Sequence, residues 1–415
     1  MHWFSAVFIA ALALTAVIRL WLSRRHIRYV LANRDAVPAE FSASIPLAAH
    51  QKAADYTAAK TRLGMLETLT GAALLLVLTL GGGLQFLSGA WERVFEAGGY
   101  AHGIALIVSV ALVSSVIDLP FALYRTFVIE ARFGFNRTSL ALFFVDLAKQ
   151  AALGALLLVP LVFCFLWLMA RMGAMWWLYA WATWVAFSLV VQFLYPIVFV
   201  RWFNKFSPLE DAGLRSRIEA LLAKCGFRSR GLFVMDGSKR SSHGNAYFTG
   251  FGAAKRIVLF DTLISRLAPP EIEAVLAHEL GHFSHRHVWK RMALVFGASL
   301  ALLWLLGWLI GQEWFYAALG VRSRSTAMAL VLFFMVVPVF TFLLHPLASW
   351  YSRLHEFEAD AFAARVADPR DLARALVRLY EDNAATLTPD PLHSAFYDSH
   401  PPALLRIARL QTRHT

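Results

Sequence analysis

Glu271-Ile-Glu-Ala-Val-Leu-Ala-His278-Glu279-Leu-Gly-His282 places His-Glu-x-x-His inside an apolar-periodic run that reads as a helix. Four residues on an α-helix advance ~6 Å along the axis and ~40° in azimuth, so the imidazoles of His278 and His282 can reach one metal ion. Glu279 points to the flank, where it can touch a water at the metal without ligating the metal itself. That is the zinc-metallopeptidase arrangement, and it makes Zn2+, one per chain, the expected cofactor.

The chain around this stretch is strongly apolar. Of its 415 residues 59% are hydrophobic, with 33 Phe and 14 Trp, against about 45–50% apolar in soluble globular chains. Mean hydropathy is +0.56. This is the composition of a polytopic α-helical membrane protein, not of a soluble chain with one anchor. Stretches near 3–22, 68–90, 101–123, 151–170, 175–200, 292–311 and 327–350 are apolar enough to span, since crossing the hydrocarbon takes about 20 residues. The first is retained rather than cleaved, because Arg24, Arg25 and Arg28 follow its apolar run where a secretory signal has its charge before.

Basic residues set the orientation. Arg34, Lys52, Lys60 and Arg62 extend the cluster after the first span, and Arg125, Arg132, Arg137 and Lys149 lie between the third and fourth. The complementary loops hold only Arg93, Arg171, Arg322 and Arg324. The positive-inside rule puts the N-terminus outside and both large polar segments, about 201–290 and 351–415, in the cytoplasm. The formal charge of +12 then belongs to loops facing anionic membrane lipid, and no basic run interleaved with aromatics suggests nucleic acid. Cys164 and Cys225 give no disulfide framework and lie far from the motif.

Four segments are expected: 1–200 with spans one to five, 201–290 as a cytoplasmic α+β segment carrying the motif helix, 291–350 with spans six and seven, and 351–415 as a helical segment completing the site. Within 201–290, Pro208 to Lys224 reads as a helix, and Leu232–Met235 and Arg256–Phe260 as strands. Ser241-Ser-His-Gly-Asn245-Ala246-Tyr-Phe248 alternates as an edge strand would. The motif helix starts at Ala268-Pro-Pro270, and helices are expected at 369–384 and 402–412, joined by a Pro-containing loop.

A catalytic zinc site needs a third protein ligand. His285 shares the motif's face but lies ~10 Å along the axis from His278, too far for one ion. The extended pattern with a third His six residues on would need Gly at 285 and His at 288; His285 and Val288 stand there instead. The better source is Ser352-Arg-Leu-His-Glu356-Phe-Glu-Ala-Asp360, on the same side of the membrane. Glu356 can bind the metal while Asp360, four residues on, orients a ligand histidine. Glu358 points elsewhere and His355 is a rival; a solvated acidic helix end is the plainer alternative. His400, before Pro401 and Pro402, could donate to a developing oxyanion or be a loop histidine ahead of a helix start.

Taken together, these stretches resemble the integral-membrane zinc endopeptidases of the CAAX prenyl protease 1 family. The matching pieces are Arg132-Phe-Gly-Phe-Asn136, Phe203-Asn-Lys-Phe206 with Pro208-Leu-Glu210, Met235 to His243, Asn245-Ala-Tyr-Phe248, Val258-Leu-Phe-Asp261, His278 to His282, Glu356 to Asp360 and Ser399-His-Pro-Pro402, in family order. The resemblance implies seven transmembrane helices around an intramembrane chamber, with a cytoplasmic α+β zinc-metalloprotease portion. It implies His278, His282 and Glu356 as ligands, Glu279 as base, and Asp360 and His400 as assisting groups. Asn245 and Ala246 would hold the substrate backbone by β-pairing. Gly244 stands where Ser is more usual, and Asp398 where an aromatic is common, which bears only on substrate fit.

The expected reaction is hydrolysis of a peptide or protein substrate, by resemblance removing the C-terminal tripeptide of prenylated CAAX chains. A membrane quality-control protease acting on non-prenylated substrates is the alternative. A transporter is the rival from another class, on Asp118 and His345 within the spans, which read more simply as helix-end or chamber-lining groups. No C-terminal endoplasmic-reticulum retrieval signal is visible, so a bacterial inner membrane is the expected location.

Overall fold

A computed structural model describes residues 2–227, 229, 231–243, 246–249 and 256–412. Among them are seven helices long and apolar enough to cross a membrane: Trp3–Ala32, Leu47–Leu78, Tyr100–Glu130, Leu140–Arg171, Gly173–Leu194, His287–Leu309 and Thr326–Val366. The last is the central one. Some 56% of its most apolar window is buried within the protein, against 28% or less for the other six.

Two spans differ from expectation. The second comes earlier, at Leu47–Leu78, and the stretch 83–91 is a separate short helix. Gly81-Gly82-Gly83 is the cause: Gly82 takes φ +79°, and a Cβ on Gly81 would lie 2.7 Å from the Val77 carbonyl oxygen. The seventh runs on past 350, where its apolar stretch ends, to Val366. Thr326–Thr341 passes through a 3-10 turn at Phe342–Leu344, just after Pro338, into His345–Val366, so Glu356 and Asp360 ride on the continuation of a membrane helix.

The expected helix from Pro208 begins only at Ala212, because Asp211 caps it by accepting from the Leu214 N–H and Phe206–Pro208 is drawn into a short strand, β1. β1 pairs antiparallel with β2 (Leu232–Met235), β2 parallel with β4 (Arg256–Phe260), and β4 antiparallel with β3 (Ala246–Thr249). The order β1-β2-β4-β3 leaves β3 on the edge. The expected edge strand is therefore shorter. Ser241 makes only an isolated bridge to Asn136, and Gly244 and Asn245 lie outside the described residues. The loop expected between the two C-terminal helices (Pro369–Asp382 and Ala403–Thr412) contains a further helix, Pro391–Tyr397, capped by Asp390.

The motif helix, Pro269–Ser284, packs into this layer with Leu276, Ala277 and Leu280 in one buried cluster with Leu259, Ala363, Leu376 and Ile407. Its first turn uses prolines that need no amide partner, and Glu271 accepts from the Ala268 N–H at 2.8 Å. Arg240 ties the layer to the membrane part, donating from Nε and Nη2 to Asp146 of the fourth span at 2.7 and 3.0 Å.

Candidate active site

Gly281 decides how closely the motif helix meets the extension of the seventh span. A Cβ there would lie 3.0 Å from the carbonyl oxygen of Ala359 and 2.8 Å from its Cα, the latter closer than real Cβ atoms come. Glycine permits backbone-to-backbone approach, and that approach puts Glu356 opposite the two histidines.

Nε2 of His278 and Nε2 of His282 face each other at 3.2 Å. Glu356 closes the triangle, with Oε2 3.4 Å from His278 Nε2 and Oε1 3.3 Å from His282 Nε2. Two ligands bound at ~2.0–2.1 Å to one tetrahedral ion lie ~3.3 Å apart. The triangle has that edge. His278 and Glu356 are 7% and 4% exposed, and Glu356 Oε2, wholly buried, has no hydrogen-bond partner among the described residues. An orphaned carboxylate oxygen and two converging imidazoles are a donor set that fits zinc. One ion would satisfy all three.

Asp360 lies behind His278, its Oδ1 2.8 Å from Nδ1. Arg406 clamps Asp360 from the other side, Nη2 to Oδ1 at 2.6 Å and Nε to Oδ2 at 2.8 Å. Arg406 Nη2 also comes within 3.3 Å of His278 Nδ1, but both cannot donate to each other. The contact to the carboxylate is the shorter of the two, and a proton on Nδ1 shared with Asp360 would leave Nε2 bare toward the triangle. Arg406 was not anticipated. The signal was available, because Ala403, Arg406, Ile407 and Leu410 fall on one buried helical stripe and only one of them is charged.

Glu279 lines a cavity of about 390 Å³ beside the triangle, together with His278, His400, Tyr380, Leu372 and Ala246. Burial pushes the Glu279 carboxyl above its ordinary range, which makes it a better proton acceptor. His400 reaches the same place: Nε2 is 3.5 Å from Glu356 Oε1, and Nδ1 is 3.0 Å from the Ser399 hydroxyl. Ala246 opens β3 at the cavity wall, whereas Asn245 lies outside the described residues. His285 binds its own helix through Gly281 O, and His355 stacks on His287 away from the triangle. Glu358 is also outside the triangle, in contact with His287.

The family model for the CAAX prenyl protease N-terminal part, with five membrane helices, matches residues 26–205, and that for peptidase family M48 matches residues 208–414. Probable CAAX prenyl protease 1 of Schizosaccharomyces pombe is 33% identical over 395 residues, covering 92% of this chain and 83% of the relative. The CAAX prenyl protease 1 homolog of Homo sapiens is 30% identical over 461 residues, covering 98% of this chain and 95% of the relative. The crystal structure of S. mikatae Ste24p superposes with a TM-score of 0.90 at 28% identity, covering 99% of both chains. With its apolar helices and its His-His-Glu group, the chain belongs to the CAAX prenyl protease 1 family of multi-pass membrane metalloproteases within peptidase family M48.

Proposed function

We propose that the chain is a zinc endopeptidase that cuts prenylated CAAX substrates after the modified cysteine, releasing the last three residues. The observation that carries the zinc reading is the 3.2–3.4 Å triangle of His278, His282 and Glu356, backed by Asp360 and flanked by Glu279. The names borne by the relatives support the substrate class.

Zinc bound by His278, His282 and Glu356 would supply Lewis acidity toward the scissile carbonyl and bring the pKa of a water toward ~7. Glu279 would take the proton of the attacking water as the water oxygen bonds to the carbonyl carbon, then deliver it to the amine as the C–N bond breaks. Ser399 Oγ and His400 Nδ1 lie 3.0 Å apart, and with the hydroxyl as donor the Nε2–H of His400 would be free to donate to the oxyanion. The edge of β3 from Ala246, with Asn245 before it, would pair with the substrate backbone.

The four segments 1–200, 201–290, 291–350 and 351–415 contribute membrane wall, motif helix, closing spans and completing helices. The shallow burial of the first six spans supports walls around an intramembrane chamber. The meeting of His278 with Glu356, two spans apart in sequence, supports both polar segments lying on one side. The distribution of Arg and Lys favours the cytoplasm, with the N-terminus outside. The bacterial inner membrane gains no support, since the relatives named above are eukaryotic.

The test is cleavage of matched peptides by the purified protein, one farnesylated at the CAAX cysteine and one bare, with and without a chelator. Chelator-sensitive cleavage of the farnesylated peptide alone is the expected result. Equal cleavage of both would move the function to quality-control proteolysis.

A further inference from the structure

The motif helix ends at Ser284 and does not run on into the sixth span. Arg286 takes a left-handed conformation, φ +56°, and the next helix begins at His287. On an unbroken helix His287 would lie ~140° around the axis from His282, out of reach. The turn brings it back. His287 is 2% exposed; its Nδ1 is 2.9 Å from Nδ1 of His282, and its Nε2 is 2.7 Å from Oε2 of Glu358.

For a neutral His287 beside an ionised Glu358, those two contacts admit one order of protons. A carboxylate only accepts, so Glu358 takes the Nε2–H of a neutral His287. Nδ1 of His287 is then bare and accepts from His282. The proton of His282 therefore sits on Nδ1, and its Nε2 lone pair faces His278 and Glu356. We propose that Glu358 and His287 are positioning residues, a two-step relay that fixes the metal-facing tautomer of His282 as Asp360 does directly for His278. This rests on the zinc reading of the triangle above.

His287, His355 and Glu358 also bring three ligand-type atoms within 4.8 Å of one another, the outline of a second metal site. The geometry argues against it. The rings of His287 and His355 stack at 4.0 Å with 11° between planes, so their in-plane lone pairs run parallel and do not converge on one ion. The 2.7 Å from Nε2 to Oε2 is a hydrogen-bond length, short of the ~3.3 Å between two ligands of one tetrahedral ion. A metal on Nε2 of His287 would also move its proton to Nδ1 and, across the 2.9 Å contact, drive the His282 proton onto Nε2. The relay and a second site exclude each other.

The test measures zinc stoichiometry and dissociation constant on the full-length protein, by competition with a chelator of known affinity. The variants are His287→Leu, His287→Gln, Glu358→Ala and His355→Phe. One zinc per wild-type chain is expected. His287→Leu should bind ~10–100-fold more weakly. His287→Gln should bind within ~3-fold of wild type, because an amide oxygen accepts and its NH2 donates with the same polarity. Glu358→Ala should lose less than His287→Leu, ~3–10-fold, since water can replace the exposed acceptor. The relay is overturned if the Gln variant is as weak as the Leu variant, or if Glu358→Ala binds like wild type. It is equally overturned by two zinc ions per chain that fall to one in His355→Phe. Should the Leu variant not fold, the Glu358→Ala and Gln results decide alone. Wild-type protein that takes up no zinc would sink the zinc reading itself, a failure distinct from that of the relay.

Discussion

His278 and His282 leave one helix a turn apart and face one carboxylate, yet the protein supports them in opposite ways. Behind His278 stands Asp360, 7% exposed and gripped by an equally buried Arg406. Behind His282 the support passes through His287 to Glu358, whose side chain is 46% exposed. The first arm is a desolvated ion pair at the junction of three helices. The second ends in water. The same requirement, a proton held on Nδ1, is met once by buried charge and once by a neutral ring that carries the demand to the surface. Burial should therefore decide which arm the fold depends on, and the chemistry itself should depend on neither arm directly.

The largest effect is expected where no arm is touched. Glu279→Gln keeps size and position but cannot take a proton, so peptide cleavage should fall by ~10²–10⁴-fold. Zinc content, read by elemental analysis, should stay at the wild-type level. A variant that still cleaves would break the separation between holding the metal and moving the proton.

Asp360→Ala should come next and should hit stability and metal affinity together. It strands the Arg406 guanidinium in a buried site, a loss of ~3–5 kcal/mol for a broken buried pair. Arg406 Nη1 already lies 3.7 Å from Glu356 Oε2, so the freed cation has a ligand to compete for. Thermal unfolding in detergent should shift well below wild type, and zinc should be lost to weaker chelators. Arg406→Met added to Asp360→Ala removes the stranded charge, and part of the stability should return.

Gly281→Ala strikes both arms at once. The added methyl meets the Ala359 backbone, which has no rotamer to yield, and overpacking of this kind costs ~1–3 kcal/mol. Zinc affinity should fall through the separation of Glu356 from both histidines, with no preference between them.

How much of this was readable beforehand follows the same division. Glu356 and Asp360 stand beside a rival in His355 and are singled out by the resemblance to the family, whereas His278, Glu279 and His282 stand out by helical spacing, a local property that sequence displays directly. Arg406 was readable in the same way, as a charge on a buried stripe. His287 and Glu358 were not, because their meeting depends on a left-handed residue at Arg286 and on the crossing of two helices 71 residues apart in sequence. Glu358 reads as pointing elsewhere from its own helix, and it does; what lies elsewhere is the partner of His282. The seven spans were visible as apolar runs. The run of three glycines after Leu80 also marked the break in the second, but hydropathy averaged over 20 residues passes straight across it.

The smallest expected effect is the sharpest test of the comparison. Glu358→Ala removes one carboxylate from the exposed arm, as Asp360→Ala removes one from the buried arm. Glu358 also sits 3.9 Å from Lys290, both side chains being nearly half exposed, where an ion pair contributes ~0–1 kcal/mol. No charge is stranded in the interior, because water can accept from His287 in its place. The thermal midpoint should therefore move by only a degree or two, while zinc affinity still falls measurably. Stability and affinity would then part company on one side of the site and move together on the other. If Glu358→Ala unfolds the protein as readily as Asp360→Ala, burial is not what distinguishes the arms, and the exposed one is carrying the fold through contacts of His287 rather than through the proton it holds.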